Sequence, residues 1–91
     1  MTRVLNISAY LFTRLTDAPE LRPVLRERAV AAGLKGTIIL AEEGINLFLA
    51  GDADAVRAFV DDLRTDQRLA PLTTKESWSD AQPFRKMLVK L

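Results

Sequence analysis

From Val4 to Phe12 the chain alternates with a period of two. Leu5, Ile7, Ala9 and Leu11 fall on one face, and Asn6, Ser8, Tyr10 and Phe12 on the other. The pattern predicts a strand with one aliphatic face. Asp17-Ala18-Pro19-Glu20 then reads as a helix start, with an acidic N-cap, a proline in the first turn and a glutamate three residues on. Leu21, Val24, Leu25 and Arg28 follow at helical spacing. A proline as far in as Pro23 removes a backbone donor, so the regular helix is expected to start there with Pro23 at its first position. Gly33 is the expected C-terminal cap.

Gly36 to Ala41 is apolar and β-branched, Glu42-Glu43-Gly44 is polar with a glycine for positive φ, and Ile45 to Leu49 is apolar again. This predicts a β-hairpin. Gly51-Asp52 breaks the strand and caps a second helix, in which Val56, Phe59, Val60 and Leu63 share one face. Asp66 to Pro71 reads as a loop anchored by Leu69, Leu72 to Trp78 as a strand, and Phe84 to Leu91 as a further alternating segment after Pro83.

The order strand, helix, strand, strand, helix, strand predicts an α+β fold: a ferredoxin-like, acylphosphatase-like βαββαβ sandwich. Its antiparallel sheet would carry two helices on one face, with an extra strand available at the C-terminus. The first and third strands lie at the centre of such a sheet. Their parity assigns Leu5, Ile7, Ala9, Leu11, Ile45, Leu47 and Leu49 to the helix side. Asn6, Ser8, Tyr10, Phe12, Asn46 and Phe48 are left on the open face.

Composition narrows the picture. With 91 residues, 48% apolar and 27% charged, and thirteen Lys plus Arg against twelve Asp plus Glu, the chain is expected to be one soluble domain with one core. No apolar run approaches the roughly 20 residues of a membrane helix. The N-terminus lacks the pattern of a secretory signal, so a cytoplasmic location is expected, with no membrane partner. Cysteine and histidine are both absent. That excludes disulfides, thiolate or imidazole metal sites, a Cys nucleophile and any triad with a His base.

Three features bear on chemistry. Aromatics on the central strands of this topology are how some RNA-recognition domains stack single-stranded bases, and Tyr10, Phe12 and Phe48 are placed for it. The basic, glycine-containing signature of those domains is missing, and packing of the rings under the C-terminal strand or a neighbouring domain is the stronger reading. Glu42-Glu43 supplies too few ligands for a cation cage and reads as a solvated turn, and Asp61-Asp62 as a solvated helix face. The last third is the basic part: Lys75, Arg85, Lys86 and Lys90, with Arg3, Arg14 and Lys35, are candidates to meet phosphates. Acylphosphatases share the element order, but the loop Thr13-Arg14-Leu15-Thr16-Asp17 has no glycine and no anion nest. Phosphatase activity is rejected.

Three stretches together carry a family resemblance: Asn6 to Tyr10, Gly33 to Asn46, and Lys75-Glu76-Ser77 with Gln82 to Met87. They resemble the N-terminal domain of the rhodanese-domain-containing tRNA uridine(34) hydroxylase family. The resemblance covers nearly the whole chain. It implies a parent enzyme that uses molecular oxygen as co-substrate to convert the wobble uridine of tRNA to 5-hydroxyuridine. Its reactive cysteine would lie in a rhodanese domain that follows in cis. Residues 1–91 are then a single N-terminal accessory domain with no catalytic residue, cofactor or metal of its own, and the unfinished strand Met87 to Leu91 marks a fragment of a longer protein. Many relatives resemble Gly-Thr-Ile where this chain has Leu47-Phe48-Leu49, so Phe48 is not a shared stacking residue. The expected role is to help bind and position the tRNA anticodon arm. Lys35, Lys75, Arg85, Lys86 and Lys90 are the candidates for phosphates, with Tyr10 and Phe12 for stacking. The alternative is a structural module whose open face packs against the rhodanese domain without touching RNA.

Overall fold

The computed structural model describes residues 3–91. The elements run β1 (Val4–Phe12), α1 (Ala18–Ala31), β2 (Lys35–Ala41), β3 (Gly44–Gly51), α2 (Ala53–Leu63), β4 (Lys75–Ser79) and β5 (Met87–Lys90). The sheet order is β4-β1-β3-β2-β5, the ferredoxin-like layout with one strand added beyond β2. Antiparallel pairing was expected throughout. The added strand instead pairs parallel to β2, so the sheet is mixed. The segment between β4 and β5 crosses from one edge to the other and enters β5 in the direction of β2.

Strand parity places the core. Leu5, Ile7 and Ala9 of β1 are buried, as are Ile38 and Leu40 of β2, Ile45, Leu47 and Leu49 of β3, and Met87 and Val89 of β5. Both helices cover this side, α1 over β2 and β5, and α2 over β1 and β3. In α2 the expected stripe Val56, Phe59, Val60 and Leu63 is buried. Asp52 caps the helix, its Oδ2 accepting from the Ala55 amide at 3.3 Å. Leu15, Leu69 and Leu72 close the ends of the core from loops.

Helix α1 departs from its expected form. It begins at Ala18, with Pro23 inside it, and buries Ala18, Leu25 and Ala29, while Val24 is exposed. Burial of a stripe spaced at seven and four residues outweighs the missing Pro23 donor. Asp17 is the N-cap, yet its side chain makes no capping bond. Arg68 takes that carboxylate instead, at 2.6 and 3.3 Å. The C-terminus follows expectation. Gly33, at φ +74°, closes a Schellman motif in which its amide donates to Val30 O and the Leu34 amide to Ala29 O.

The hairpin loop is Glu42-Glu43, and Gly44 is the first residue of β3, opposite both Ala41 and Phe12. Strand β4 starts at Lys75 rather than Leu72, because Leu72 is drawn into the core from the preceding loop. The last strand is shorter than the alternation from Phe84 suggested.

Candidate nucleic-acid interface

Register decides which side chains share the face that the helices leave bare. Asn6 pairs with Ala50 and Ser77, Ser8 with Phe48 and Lys75, and Tyr10 with Asn46. Lys35 is level with Ala50, Thr37 with Phe48 and Leu88, and Ile39 with Asn46 and Lys90. Directly paired residues point to the same side of a sheet. Lys35, Lys75 and Lys90 therefore stand on the same face as Tyr10 and Phe12, contributed by three different strands. All three lysines are exposed. Arg85 and Lys86 do not join them. They precede β5 at the rim of the sheet, with the Lys86 carbonyl accepting from the Gly36 amide at 2.9 Å.

The crossing segment divides this face. Gln82 donates from Nε2 to Ala50 O at 3.0 Å and accepts from the Phe84 amide at 3.2 Å. Pro83 and Phe84 line one hollow with Asn6, Ser8, Phe48 and Lys75. Packing of the rings under the C-terminal strand was expected to cover Tyr10, Phe12 and Phe48 alike. Only the end holding Phe48 lies beside the crossing segment, since β5 joins the edge of the sheet rather than its face. At the other end Tyr10 is 68% exposed and Phe12 82%. Their rings meet edge to face, 5.8 Å between centroids and 68° between planes. Beside them runs an open groove of about 220 Å³ over Leu11, Ile39, Ala41 and Ile45, with Glu43 and Asn46 at its rim. A second hollow of about 530 Å³ joins Tyr10, Asn46 and Phe48 to Lys75.

Other candidate chemistry resolves differently. The Thr13 and Leu15 amides donate to the Glu43 and Glu42 carbonyls, each at 3.0 Å. These two amides of the loop after β1 are thus occupied, where a phosphate cradle needs its N–H groups free. The Glu42 and Glu43 side chains face water. Among the described residues no group of three or more acidic side chains converges. Asp61 and Asp62 are exposed, but each holds an arginine: Asp61 binds Arg64 at 3.3 Å, and Asp62 binds Arg28 of α1 at 2.8 Å.

Sequence reading missed an ion-pair network on the helix side. Arg68 bridges Asp17 and Asp66, each at 2.6 Å, joining the loop before α1 to the loop after α2. Hydrogen bonds from its guanidinium hold both carboxyls below the usual carboxylate range, and they raise the arginine in turn. On the helix side of β4, Arg57 grips Glu76 through two bonds of 3.1 and 3.2 Å, which lower the Glu76 carboxyl. Arg57 and Arg3 flank the Trp78 ring at 5.9 and 5.6 Å. Reading also passed over Arg22 and Arg26, which the fold sets beside Lys86. Their i, i+4 spacing was the available signal.

Comparison with known proteins agrees with the fold and narrows the family. BlrP1 BLUF superposes on all of this chain and 65% of its own, with a TM-score of 0.78 at 14% identity. An acylphosphatase from Coxiella burnetii covers 97% of this chain and 93% of its own, with a TM-score of 0.66 at 13% identity. At such identities the likeness is one of fold alone. Sequence likeness reaches further. The tRNA uridine(34) hydroxylase of Delftia acidovorans is 66% identical over all 91 residues, and that of Variovorax paradoxus 67%. The one from Cupriavidus necator is 56% identical over 88 residues. The chain spans about a third of the length of these curated relatives, 35% in the first two and 31% in the third, and matches their N-terminal part. Among the described residues no helix is long and apolar enough to cross a membrane. The family model of the UPF0176 acylphosphatase-like domain matches residues 4–91, and the chain belongs to that family.

Proposed function

We propose that this domain grips tRNA for a longer enzyme that hydroxylates the wobble uridine to 5-hydroxyuridine, with the anticodon arm lying across the open sheet face. One observation carries the reading: the register puts Lys35, Lys75 and Lys90 on the face where Tyr10 and Phe12 stand uncovered. Cations spread across such a face meet the phosphate backbone, and each contact releases a counterion and adds to the salt sensitivity of binding. Exposed rings offer a stacking surface worth about 1 to 3 kcal/mol per base. Arg85 and Lys86 extend the cationic surface to the rim. On this reading the domain brings no catalytic residue, cofactor or metal. Oxygen chemistry belongs to a rhodanese domain that follows in cis, in the cytoplasm where tRNA is modified.

The test is a salt titration of binding between the 91-residue chain and an anticodon stem-loop. Charge reversal of Lys35 and Lys75 is expected to flatten the salt slope by about 0.7 to 0.9 per lost phosphate contact. Replacing Tyr10 and Phe12 with alanine is expected to weaken binding with the slope unchanged. Affinity indifferent to all four substitutions sinks the proposal.

A second reading has an observation of its own. The groove beside Tyr10 and Phe12 includes Ile39, exposed on the open face, and Ala41, which with the two rings make an apolar surface suited to protein packing. If the face is an interdomain contact without RNA, both rings become protected from hydroxyl-radical labelling in the longer protein. Rings that stay reactive there until RNA is added favour the first reading.

A further inference from the structure

The edge of the sheet opposite β4 carries a second cationic feature, separate from the open face. Arg22, Arg26 and Val30 form a stripe spaced four residues apart along α1, and that stripe runs beside β5. Together with Lys86, Met87, Leu88 and Val89 they line a groove of about 460 Å³. Arg22 is held in place, its Nε donating to the Val89 carbonyl at 2.8 Å. That bond caps a carbonyl on the outer edge of the sheet and leaves the Nη groups for another partner. Arg26 stands one turn further along, about 5 to 6 Å away. Lys86 is anchored through its own carbonyl to Gly36.

Charge pairing separates this edge from the four arginines paired around α2. Arg28, Arg57, Arg64 and Arg68 each hold a carboxylate. Among the described residues Arg22, Arg26, Arg85, Lys86 and Lys90 form no ion pair with a side chain. Glu20 and Glu27 lie on other stripes of α1 by helical spacing. Unpaired cations therefore continue from the open face, where Lys35, Lys75 and Lys90 also lack an ion pair among the described residues, past Lys86 at the rim, to Arg22 and Arg26 on the helix layer. Guanidinium forks suit phosphate oxygens in bidentate geometry, and one already oriented by a backbone bond loses less freedom on binding.

We infer that the groove between α1 and β5 is a second contact for the RNA phosphodiester backbone, so that the nucleic acid wraps the β5 edge instead of resting on the sheet alone. This inference rests on the tRNA reading of the open face and adds Arg22 and Arg26 to it. It is tested with the double substitution R26E/K86E in the 91-residue chain. Arg22 is kept because its Nε satisfies Val89 O. Binding to an anticodon stem-loop is followed by fluorescence anisotropy over about 50 to 200 mM salt. The log–log slope is expected to fall by roughly 1.5 and the affinity by at least about tenfold, two contacts at 0.7 to 0.9 each. The neutral pair R26Q/K86Q is expected to lie between, and circular dichroism confirms that both variants fold.

Loss of affinity on K35E/K75E with none on R26E/K86E overturns the groove and leaves the open face standing. The converse result overturns the open face and the wrapping with it, leaving the groove as a contact by itself. A chain that binds no RNA, or one from which poly-glutamate displaces RNA as readily as unlabelled RNA does, overturns the inference.

Discussion

A Cβ added at Gly36 would lie 1.9 Å from the Phe48 carbonyl oxygen, at a φ of +137° that L side chains rarely adopt. One at Gly33 would meet nothing within 4 Å, and there only the φ of +74° stands in the way. The two glycines therefore answer to different physics. Gly33→Ala is expected to cost about 1 to 2 kcal/mol, the left-handed penalty alone. Gly36→Ala adds a collision with the backbone of the neighbouring strand, where no flexible side chain can yield, and is expected to cost about 3 kcal/mol or more. Urea unfolding of the two variants checks the order, and equal costs would show that the β2–β3 pairing relaxes around the methyl group. Which glycine is which was only partly legible in the sequence. Gly33 ends an amphipathic stretch and reads as a cap, whereas the close approach at Gly36 comes from a strand that lies twelve residues further along.

Among the elements, α1 shows a local preference overruled by packing. Pro23 sits inside the helix, where its ring crowds the preceding turn and the Pro19 carbonyl loses its usual donor. Pro23→Ala is expected to stabilise the fold by about 2 kcal/mol. That is the helix penalty of roughly 3 kcal/mol less the 0.4 to 1 kcal/mol by which proline restrains the unfolded chain. A lower urea midpoint for the variant would mean that the proline bends α1 onto β2 and β5. The Arg68 network belongs to the same scale because it ties two connections together. Asp17 and Asp66 have folded-state pKa values below the unfolded one of 3.8. Their contribution is therefore complete above the unfolded value and is lost as pH falls through the folded values. Arg68→Met is expected to lower Tm at neutral pH, and its difference from the parent chain is expected to shrink as pH falls through the lowered folded values of the two carboxyls. A Tm difference that persists unchanged into acid would assign the loss to the packing of the Arg68 stem rather than to charge.

At the scale of the whole molecule, one cluster joins β1, both helices, β2, β3, β5 and four loop leucines, Leu15, Leu34, Leu69 and Leu72. Leu47 on the central strand β3 has no exposed surface, and Leu47→Ala is expected to cost about 2 to 5 kcal/mol. Because the core is shared, Trp78 fluorescence at the β4 edge and far-UV circular dichroism should report one transition in that variant and in the parent. Two separate transitions would show that β4 unfolds on its own. The division of charge is a property of the same scale. Four arginines are neutralised by carboxylates, mostly around α2, while the cations along the β5 edge keep their field. A formal net charge of +1 hides that asymmetry, since the sum carries no positions.

By itself the sequence determined the element order, the aliphatic side of the two central strands and the buried stripe of α2. Those depend on periodicities of 2.0 and 3.6 residues, which are properties of the local backbone. It also determined the family, through long matching segments that need no coordinates. Only the tertiary structure decided that β5 joins the edge parallel to β2, which leaves Tyr10 and Phe12 bare. Likewise only the fold showed that Arg68 withdraws the Asp17 cap, and that Arg22 and Arg26 stand beside Lys86. Each of these brings together residues about fifty or more positions apart, and a local pattern holds no information about such pairs. They are settled by which surfaces remain to be covered once the sheet and helices have closed on their common core.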